Sequence, residues 1–225
     1  MIRSLRTIIQ WLCKSLTEGR RRVLLRQDGN MSKISDLLFF RCRHVCPRWL
    51  CFTFDNYFRR LIHNPERIVK AYIKEGDKVL DVGPGIGFFT IPMAQMVGDR
   101  GRVIAADIQE GMLAAIKKRA IRTGVQERIT LQLVSPELSE IDGKCDFVLA
   151  FWMAHEVPDQ LKFFARLHAL LNDDGQFLMV EPKLHVGKNR FSAAVRSAEA
   201  AGFRLVDHPD IPLSMSALFA KDIRS

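Results

Sequence analysis

The stretch from residue 78 to residue 90 constrains this chain most, because it predicts a strand, a tight turn and a helix in immediate succession. Residues 79–82 are an apolar run with one acid, which is typical of a buried parallel strand. Three glycines follow at alternate positions: Gly83, Gly85 and Gly87. Glycine accepts backbone angles that other residues avoid, so these positions favour a tight turn. From Phe88 the apolar spacing indicates a helix, which completes the first half of a nucleotide-binding βαβ unit.

The spacing of the glycines decides between ligands. A turn without Cβ atoms lets a ligand approach the backbone, and the following helix start offers N–H groups to a negative group. A dinucleotide fingerprint, G-x-G-x-x-G, would need its third glycine at Phe88. The pattern here instead starts at Asp81 and resembles motif I of the class I S-adenosylmethionine-dependent methyltransferases. The resemblance implies that S-adenosylmethionine contacts five residues: Asp81, Gly83, Pro84, Gly85 and Gly87. The alternative is a tight strand–helix turn without a ligand.

A second acid supports the same cofactor. Residues 103–106 form a second apolar strand that ends at Asp107, 20 residues beyond Gly87. That distance is usual for a carboxylate that binds a ribose, and two ribose hydroxyls are good donors to one carboxylate. A surface acid or a helix cap is the alternative. The resemblance adds the next residue, Ile108, to the cofactor site.

The resemblance covers about residues 65–225. It implies an α/β fold: a doubly wound, mostly parallel, seven-stranded Rossmann-like sheet with helices on both faces and an N-terminal helical cap. The last two strands, 203–206 and 216–220, are expected to form an antiparallel hairpin. In the family an acid near the end of the third strand often contacts the adenine amino group. Here Ser135 stands in that region and is the expected substitute.

The fourth strand, 145–150, resembles motif IV of the family, where Asp146 would lie near the site or orient neighbouring groups. In open parallel sheets ligands bind beyond the carboxyl ends of the strands, so the following loop should face the reaction centre. Within this loop Phe151 is a candidate cofactor contact. His155 could remove a proton from an acceptor, because histidine titrates near neutral pH. The alternative is a structural histidine, in which case Glu156 is the next candidate, as base or acceptor-binding group.

The charge of the chain divides it. Residues 1–60 hold 13 Lys and Arg against 4 Asp and Glu, whereas residues 61–225 hold 21 of each sign. We therefore expect a basic amphipathic extension over 1–30, an aromatic and cysteine-rich cap over 31–64, and the methyltransferase domain over 65–225. The neutral domain argues against a nucleic-acid partner. Residues 1–26 could contact an anionic membrane surface. Alternatively this segment packs on the domain, is a tail, or precedes the true start of translation at residue 31.

The cysteines allow a metal site but favour buried thiols. Cys42, Cys46 and Cys51 could hold a soft ion. However, they lack the spacing of a zinc knuckle, and free cysteine is often a small buried apolar residue, so we expect no metal. An odd number of cysteines and the absence of a secretory signal predict reduced thiols and a cytoplasmic location.

These observations predict methyl transfer from S-adenosylmethionine to a small molecule. Within the family the chain resembles the broad group that includes quinone-biosynthesis and arsenite enzymes. Two alternatives remain open at this point. One is a non-catalytic cofactor-binding protein with a basic membrane- or partner-binding arm. The other is a metalloid methyltransferase, which would need the three cysteines to converge near the methyl donor.

Overall fold

The computed structural model describes residues 62–222. The predicted basic extension over 1–30, nearly all of the predicted cap over 31–64, and Cys42, Cys46 and Cys51 lie outside the described residues. The two alternatives that depend on them, a basic binding arm and a thiolate site, lie outside as well.

The described chain alternates between strands and helices. The strands are β1 (Lys78–Val82), β2 (Arg102–Asp107), β3 (Ile129–Leu133), β4 (Cys145–Phe151), β5 (Leu171–Pro182), β6 (Phe203–Asp207) and β7 (Ser214–Lys221). The α-helices are α1 (Pro65–Val69), α2 (Thr90–Met96), α3 (Glu110–Thr123), α4 (Gln160–Leu170) and α5 (Lys188–Ala200). Short 3-10 helices cover Gln126–Arg128 and Ala154–Glu156.

The seven strands form one sheet in the order β3-β2-β1-β4-β5-β7-β6. Strands β1 to β5 are parallel, whereas β7 runs antiparallel to both β5 and β6. The predicted doubly wound, mostly parallel sheet with a final antiparallel hairpin is confirmed. The strand order reverses between β1 and β4, so a crevice for ligands is expected at the carboxyl ends of these two strands.

Apolar residues on alternate sides of each central strand bury both faces of the sheet. In β1, Leu80 belongs to a core cluster shared with α4 and α5, while Val79 belongs to a second cluster shared with α2. Both side chains are fully buried. This explains why the central strands read as nearly continuous apolar runs, since parallel strands covered by helices on both faces have no solvent side.

The helix boundaries follow the capping residues. The Asn64 side chain accepts the Arg67 N–H at 3.1 Å, and Pro65 occupies the first helical position. Helix α1 ends after five residues at Val69, earlier than the apolar spacing suggests. Tyr72 lies beyond the helix but still packs on the sheet, with its ring stacked on Phe147 at 5.6 Å between centroids.

Strand β5 includes residues 173–175, where its register with β4 shifts. The expectation that Asp146 lies near the site is wrong. Asp146 is at the amino end of β4, away from the carboxyl ends of the strands, where ligands bind. At the amino end its carboxylate accepts the Lys78 N–H at 2.7 Å and the Asn172 side-chain amide at 2.6 Å. The Asp146 carboxylate therefore ties β1 and β5 to β4 near the amino end of β4.

Candidate active site

The glycine turn after β1 touches the loop after β4. Gly83 has a φ of +65°, which favours glycine, and its N–H donates to the Ala106 carbonyl at 2.9 Å. A Cβ at Gly83 would lie 3.0 Å from the Cβ and Cγ of Met153. The missing side chain thus allows Met153, two residues before His155, to pack against the turn.

Gly85 is different, because it faces open space. Its φ is +56°, and a Cβ built on it would meet nothing within 4 Å. Gly87 instead lets α3 approach, since its Cβ would lie 3.1 Å from Ile116 Cγ1. The buried Pro84 closes the turn by accepting the Gly87 N–H at 3.0 Å. The turn therefore offers a ligand its backbone at Gly85 and uses its flanking glycines for packing.

The Asp81 carboxyl lies under the turn and is 2 % exposed. Its Oδ2 accepts a hydrogen bond of 2.7 Å from the Thr90 hydroxyl in the first turn of α2. Burial raises the pKa of this carboxyl to about 7, although the Thr90 hydrogen bond acts to lower it. Asp81 thereby fixes the start of α2 relative to the end of β1.

Asp107 lies at the end of β2 and is 7 % exposed. Its Oδ1 accepts the Gln109 N–H at 2.8 Å, and backbone N–H groups of Gly85 and Ile108 also interact with the carboxylate. Burial raises the pKa of Asp107 to about 6, and these three N–H groups act to lower it. The acid predicted to bind a ribose is thus linked directly to the open glycine of the turn.

Two exposed apolar side chains lie next to this acid. Ile108 is 44 % exposed and follows Asp107 directly. Leu133 is also 44 % exposed and pairs with Asp107 in the sheet. Sequence reasoning missed Leu133, although its place at the end of a parallel strand was a usable signal.

Ser135 follows β3 and is engaged by a neighbour that sequence reasoning also missed. Glu140 accepts hydrogen bonds from the Ser135 N–H at 3.0 Å and from the Ser135 hydroxyl at 3.1 Å. The backbone N–H of Ser135 lowers the pKa of the Glu140 carboxyl most. A carboxylate therefore lies beside the end of β3, although it comes from five residues further along the chain.

Phe151 and Trp152 begin the loop after β4. Phe151 is buried, with its ring centroid 4.4 Å from that of Phe89. Trp152 adopts a φ of +61°, which is unusual for a non-glycine residue. Its N–H donates to the Val180 carbonyl at 2.7 Å, and its indole Nε1 donates to the Ser214 hydroxyl at 3.0 Å. These bonds to β5 and β7 hold the strained residue in place.

His155 meets a buried acid at the end of β5. Its backbone N–H donates to Glu181 Oε1 at 3.1 Å, and its Nδ1 lies 2.5 Å from Glu181 Oε2. The side chains of His155 and Glu181 are 10 % and 2 % exposed. Glu156 is half-buried in the 3-10 helix, and its N–H donates to the Met153 carbonyl at 2.9 Å. The Glu-Pro pair at the end of β5 was visible in the sequence, but nothing local indicated histidine as its partner.

Apart from Asp146, the predicted site residues lie at or just beyond the carboxyl ends of β1 to β4, which is the ligand-binding end of a parallel sheet. A cavity of about 320 Å³ lies toward the opposite end of β5 and is lined by residues that include Asp174, Arg204 and Lys221. Within residues 62–222, no helix is long and apolar enough to cross a membrane, and no three His, Cys, Asp or Glu side chains cluster so as to hold a metal ion.

Comparison with known proteins supports the same family. The methyltransferase domain family matches residues 79–175. A demethylmenaquinone methyltransferase of Symbiobacterium thermophilum is 31 % identical over 117 residues, which is 52 % of this chain and 47 % of that protein. A ubiquinone/menaquinone biosynthesis C-methyltransferase of Francisella philomiragia is 30 % identical over 121 residues, or 53 % of this chain and 48 % of that protein. The chain thus spans about half the length of these curated relatives.

A solved structure has the same fold. The S-adenosylmethionine-dependent methyltransferase of Aquifex aeolicus aligns with a TM-score of 0.69 at 22 % identity, covering 78 % of this chain and 98 % of that one. Four features indicate the same kind of protein: the sheet order, the glycine turn, the acid at the end of β2 and the sequence match. The chain is thus similar in sequence to methyltransferases over residues 79–175 and shares the fold of an S-adenosylmethionine-dependent methyltransferase.

Proposed function

We propose that this chain transfers the methyl group of S-adenosylmethionine to a small organic acceptor. The observation that carries this proposal is the packing of Met153 against Gly83, since it brings the His155 loop to the glycine turn. A cofactor held at Gly85 and an acceptor held near His155 would then share one crevice. Holding two reactants in attack geometry can lower a barrier by about 7–11 kcal/mol, so few catalytic side chains are needed.

The residues of the turn fit this cofactor. S-adenosylmethionine supplies a methyl group on a sulfonium, which a nucleophile can attack. The open face of Gly85 gives room for a ligand beside the Asp107 carboxylate. We assign Asp107 to the two ribose hydroxyls, and the exposed apolar side chains of Ile108 and Leu133 to the faces of the base. Asp81 with Thr90 shapes the turn from below.

We further assign the adenine amino group to Glu140. The family commonly uses an acid near the end of the third strand, and Ser135 alone is a poor match. The hydroxyl and N–H of Ser135 both donate to Glu140, which holds this carboxylate beside the end of β3. In this arrangement Ser135 positions the acid that accepts the amino group. Phe151 contributes to the cofactor side by packing on Phe89.

On the acceptor side, we assign His155 as the base and Glu156 as a contact to the acceptor. A neutral imidazole can remove a proton from an oxygen, nitrogen or activated carbon acid as the new methyl bond forms. The side chain of His155 is 10 % exposed, so it is not fully sealed from solvent. Glu156 lies on the same 3-10 helix, one residue further along.

The names of the relatives suggest the class of acceptor. They denote enzymes for demethylmenaquinone, for ubiquinone and menaquinone biosynthesis by C-methylation, and for aklanonic acid. These are small organic molecules. We therefore propose an acceptor with an acidic O–H or an oxygen-activated C–H, for which a base such as His155 is useful.

The test has two stages that use the full chain. Calorimetry with S-adenosylhomocysteine should first show binding, and Asp107→Ala should weaken it by at least about 1 kcal/mol, the scale of a hydrogen bond to a charged group. Radiolabelled S-adenosylmethionine is then incubated with a small-molecule panel that contains short-chain demethylmenaquinone. Label should pass to at least one member. A folded chain that binds neither form of the cofactor would overturn the proposal, and binding without transfer to any member would contradict the acceptor class.

A further inference from the structure

Among residues 62–222, the Glu181 carboxylate at the end of β5 accepts hydrogen bonds from one residue. The residue is 1 % exposed, and two hydrogen bonds from His155 reach its carboxylate, one from the backbone N–H and one from the ring. A buried carboxylate is costly unless its oxygens accept hydrogen bonds. A purely structural tether could use the backbone N–H alone, whereas here the second oxygen holds the imidazole as well.

The short ring contact fixes where a proton lies. Nδ1 of His155 and Oε2 of Glu181 are 2.5 Å apart, and two lone pairs cannot face each other at that distance. A proton must therefore lie between these two atoms. When the pair holds only this one proton, the other ring nitrogen, Nε2, carries a lone pair and can act as a base.

We propose that Glu181 is a positioning residue for methyl transfer, which sets the His155 tautomer so that Nε2 is the proton acceptor. This inference rests on the proposed role of His155. When Nε2 takes the acceptor's proton, the ring becomes an imidazolium. The buried Glu181 carboxylate then faces that positive charge, in the way that an acid orients and stabilises histidine in hydrolase triads.

Other elements complete the setting of the ring. The His185 ring, from the loop after β5, lies 5.0 Å from the His155 ring at an interplanar angle of 65°. The Arg190 guanidinium in α5 donates to the His155 carbonyl at 2.6 Å. Glu156 neighbours His155 on the 3-10 helix. Glu181 is thus one of several charged or titratable groups near His155, but it holds the ring through Nδ1.

The Glu181→Gln variant separates tautomer control from tethering. A glutamine oxygen still accepts the His155 N–H, but its amide NH₂ donates to Nδ1 and so forces the proton onto Nε2. The shape of the site is kept while the base is removed. Asp146→Asn is the matched control, because it makes the same change in a carboxylate at the opposite edge of the sheet.

The first measurement needs neither an acceptor nor a variant. Nitrogen-15 NMR of the histidine side chains, with His155 assigned by its loss in His155→Gln, is recorded across a pH series. Where the wild-type ring holds one proton, it should show Nδ1–H and an unprotonated Nε2. Glu181→Gln should show the reverse, while Asp146→Asn should match the wild type. A wild-type His155 that already carries its proton on Nε2 would overturn the inference, whatever the chain methylates.

The second measurement uses whichever panel member accepts the label. Glu181→Gln should lower kcat by roughly 10²–10⁴-fold, with KM for the acceptor and affinity for S-adenosylhomocysteine changed less than about threefold. The acid limb of the pH profile should disappear with it. Retention of wild-type kcat by Glu181→Gln, with the NMR result as expected, would refute the role of Glu181 and also remove His155 from proton transfer. Loss of cofactor affinity in Glu181→Gln would instead indicate a structural role and overturn the inference.

Discussion

The proposed cofactor half and the proposed acceptor half of the crevice are built by different means. The cofactor half, at the carboxyl ends of β1 to β3, consists mainly of backbone: a glycine turn, an Asp107 carboxylate held by N–H groups, and an open face at Gly85. The acceptor half, at the ends of β4 and β5 and the start of β7, consists of side chains that pair across strands. Its bonds join His155 to Glu181 and Trp152 to Ser214, over separations of 26 and 62 residues.

This difference has a physical reason. The proposed cofactor site uses a backbone turn and one carboxylate at its base. The proposed base needs a defined tautomer, which a hydrogen bond to its other ring nitrogen sets, here from the Glu181 side chain. We therefore expect substitutions in the acceptor half to affect turnover and substitutions in the cofactor half to affect binding.

The largest expected effect is from His155→Ala. Removing a general base typically lowers turnover by roughly 10²–10⁴-fold, whereas the affinity for S-adenosylhomocysteine should remain within about twofold. Steady-state kinetics and calorimetry on the same preparation measure the two quantities. If His155→Ala keeps wild-type turnover, the acceptor half does not contain this base, and Glu156→Gln becomes the variant to examine.

The second prediction concerns the cofactor half and has an internal control. Gly85→Ala and Gly124→Ala each place a side chain at positive φ, +56° and +70°, with nothing within 4 Å of the new Cβ. Both should cost about 1–2 kcal/mol of stability, which thermal unfolding measures. Only Gly85→Ala should also lower the affinity for S-adenosylhomocysteine, by tenfold or more, because its Cβ occupies space that we assign to the ligand. Equal affinities in the two variants would show that the ligand does not approach Gly85.

The same contrast explains what could be predicted from sequence. The glycine turn was predictable, since the Asp81-to-Gly87 motif is local, and the resemblance that this motif carries implied the mostly parallel seven-stranded sheet. Glu181 as partner of His155 was not, because the pairing depends on β4 and β5 lying side by side. Glu140 beside Ser135 was missed for a different reason: a chain reversal after β3 places it there, and no periodic pattern indicates such a loop.

Asp146 shows the limit of family resemblance. Its strand was predicted correctly, but a strand has two ends, and the resemblance favoured the ligand-binding end. The carboxylate instead accepts the Lys78 N–H where β1 begins. The direction of a parallel strand would have sufficed to place it, because residue 146 is at the start of the strand and ligands bind at its end.

A third prediction addresses how the acceptor half is held. Ser214→Ala removes the acceptor of the Trp152 indole N–H, a part-buried hydrogen bond of 3.0 Å. The same hydroxyl donates to the Pro212 carbonyl at 3.2 Å, so Ser214→Ala removes two hydrogen bonds. Their loss should cost about 1–3 kcal/mol of unfolding free energy, measured by urea denaturation. Because Trp152 lies in the His155 loop, turnover should also fall modestly, while cofactor affinity stays unchanged. Trp152→Phe removes the indole bond and leaves the bond from Ser214 to Pro212. A double variant that costs less than the sum of the two single changes would show that the two side chains are coupled through the indole bond.

The smallest expected effect is a pH dependence confined to the cofactor half. Burial raises the pKa of Asp107 to about 6, and a ribose hydroxyl needs the ionised carboxylate as acceptor. The ionised fraction falls about fourfold from pH 7.5 to pH 5.5, so the affinity for S-adenosylhomocysteine should fall by about that factor.

The sign for stability is opposite to that for binding. The folded carboxyls of Asp81 and Asp107 have pKa values of about 7 and about 6, both above the value of about 3.9 expected for an unfolded chain. Between these values the folded chain binds more protons than the unfolded chain, so their contribution to stability falls as the pH rises from about 4 to 7.

Calorimetry across pH 5.5–7.5 should therefore show weakening affinity on acidification. In the ligand-free chain, the contribution of these two groups to the free energy of unfolding should increase as the pH falls over the same range. Asp107→Asn should lose the affinity trend, and Asp81→Asn should lose most of the stability trend while its partner Thr90 remains bonded to the amide. A wild-type affinity that is constant over this range would place the ribose away from Asp107.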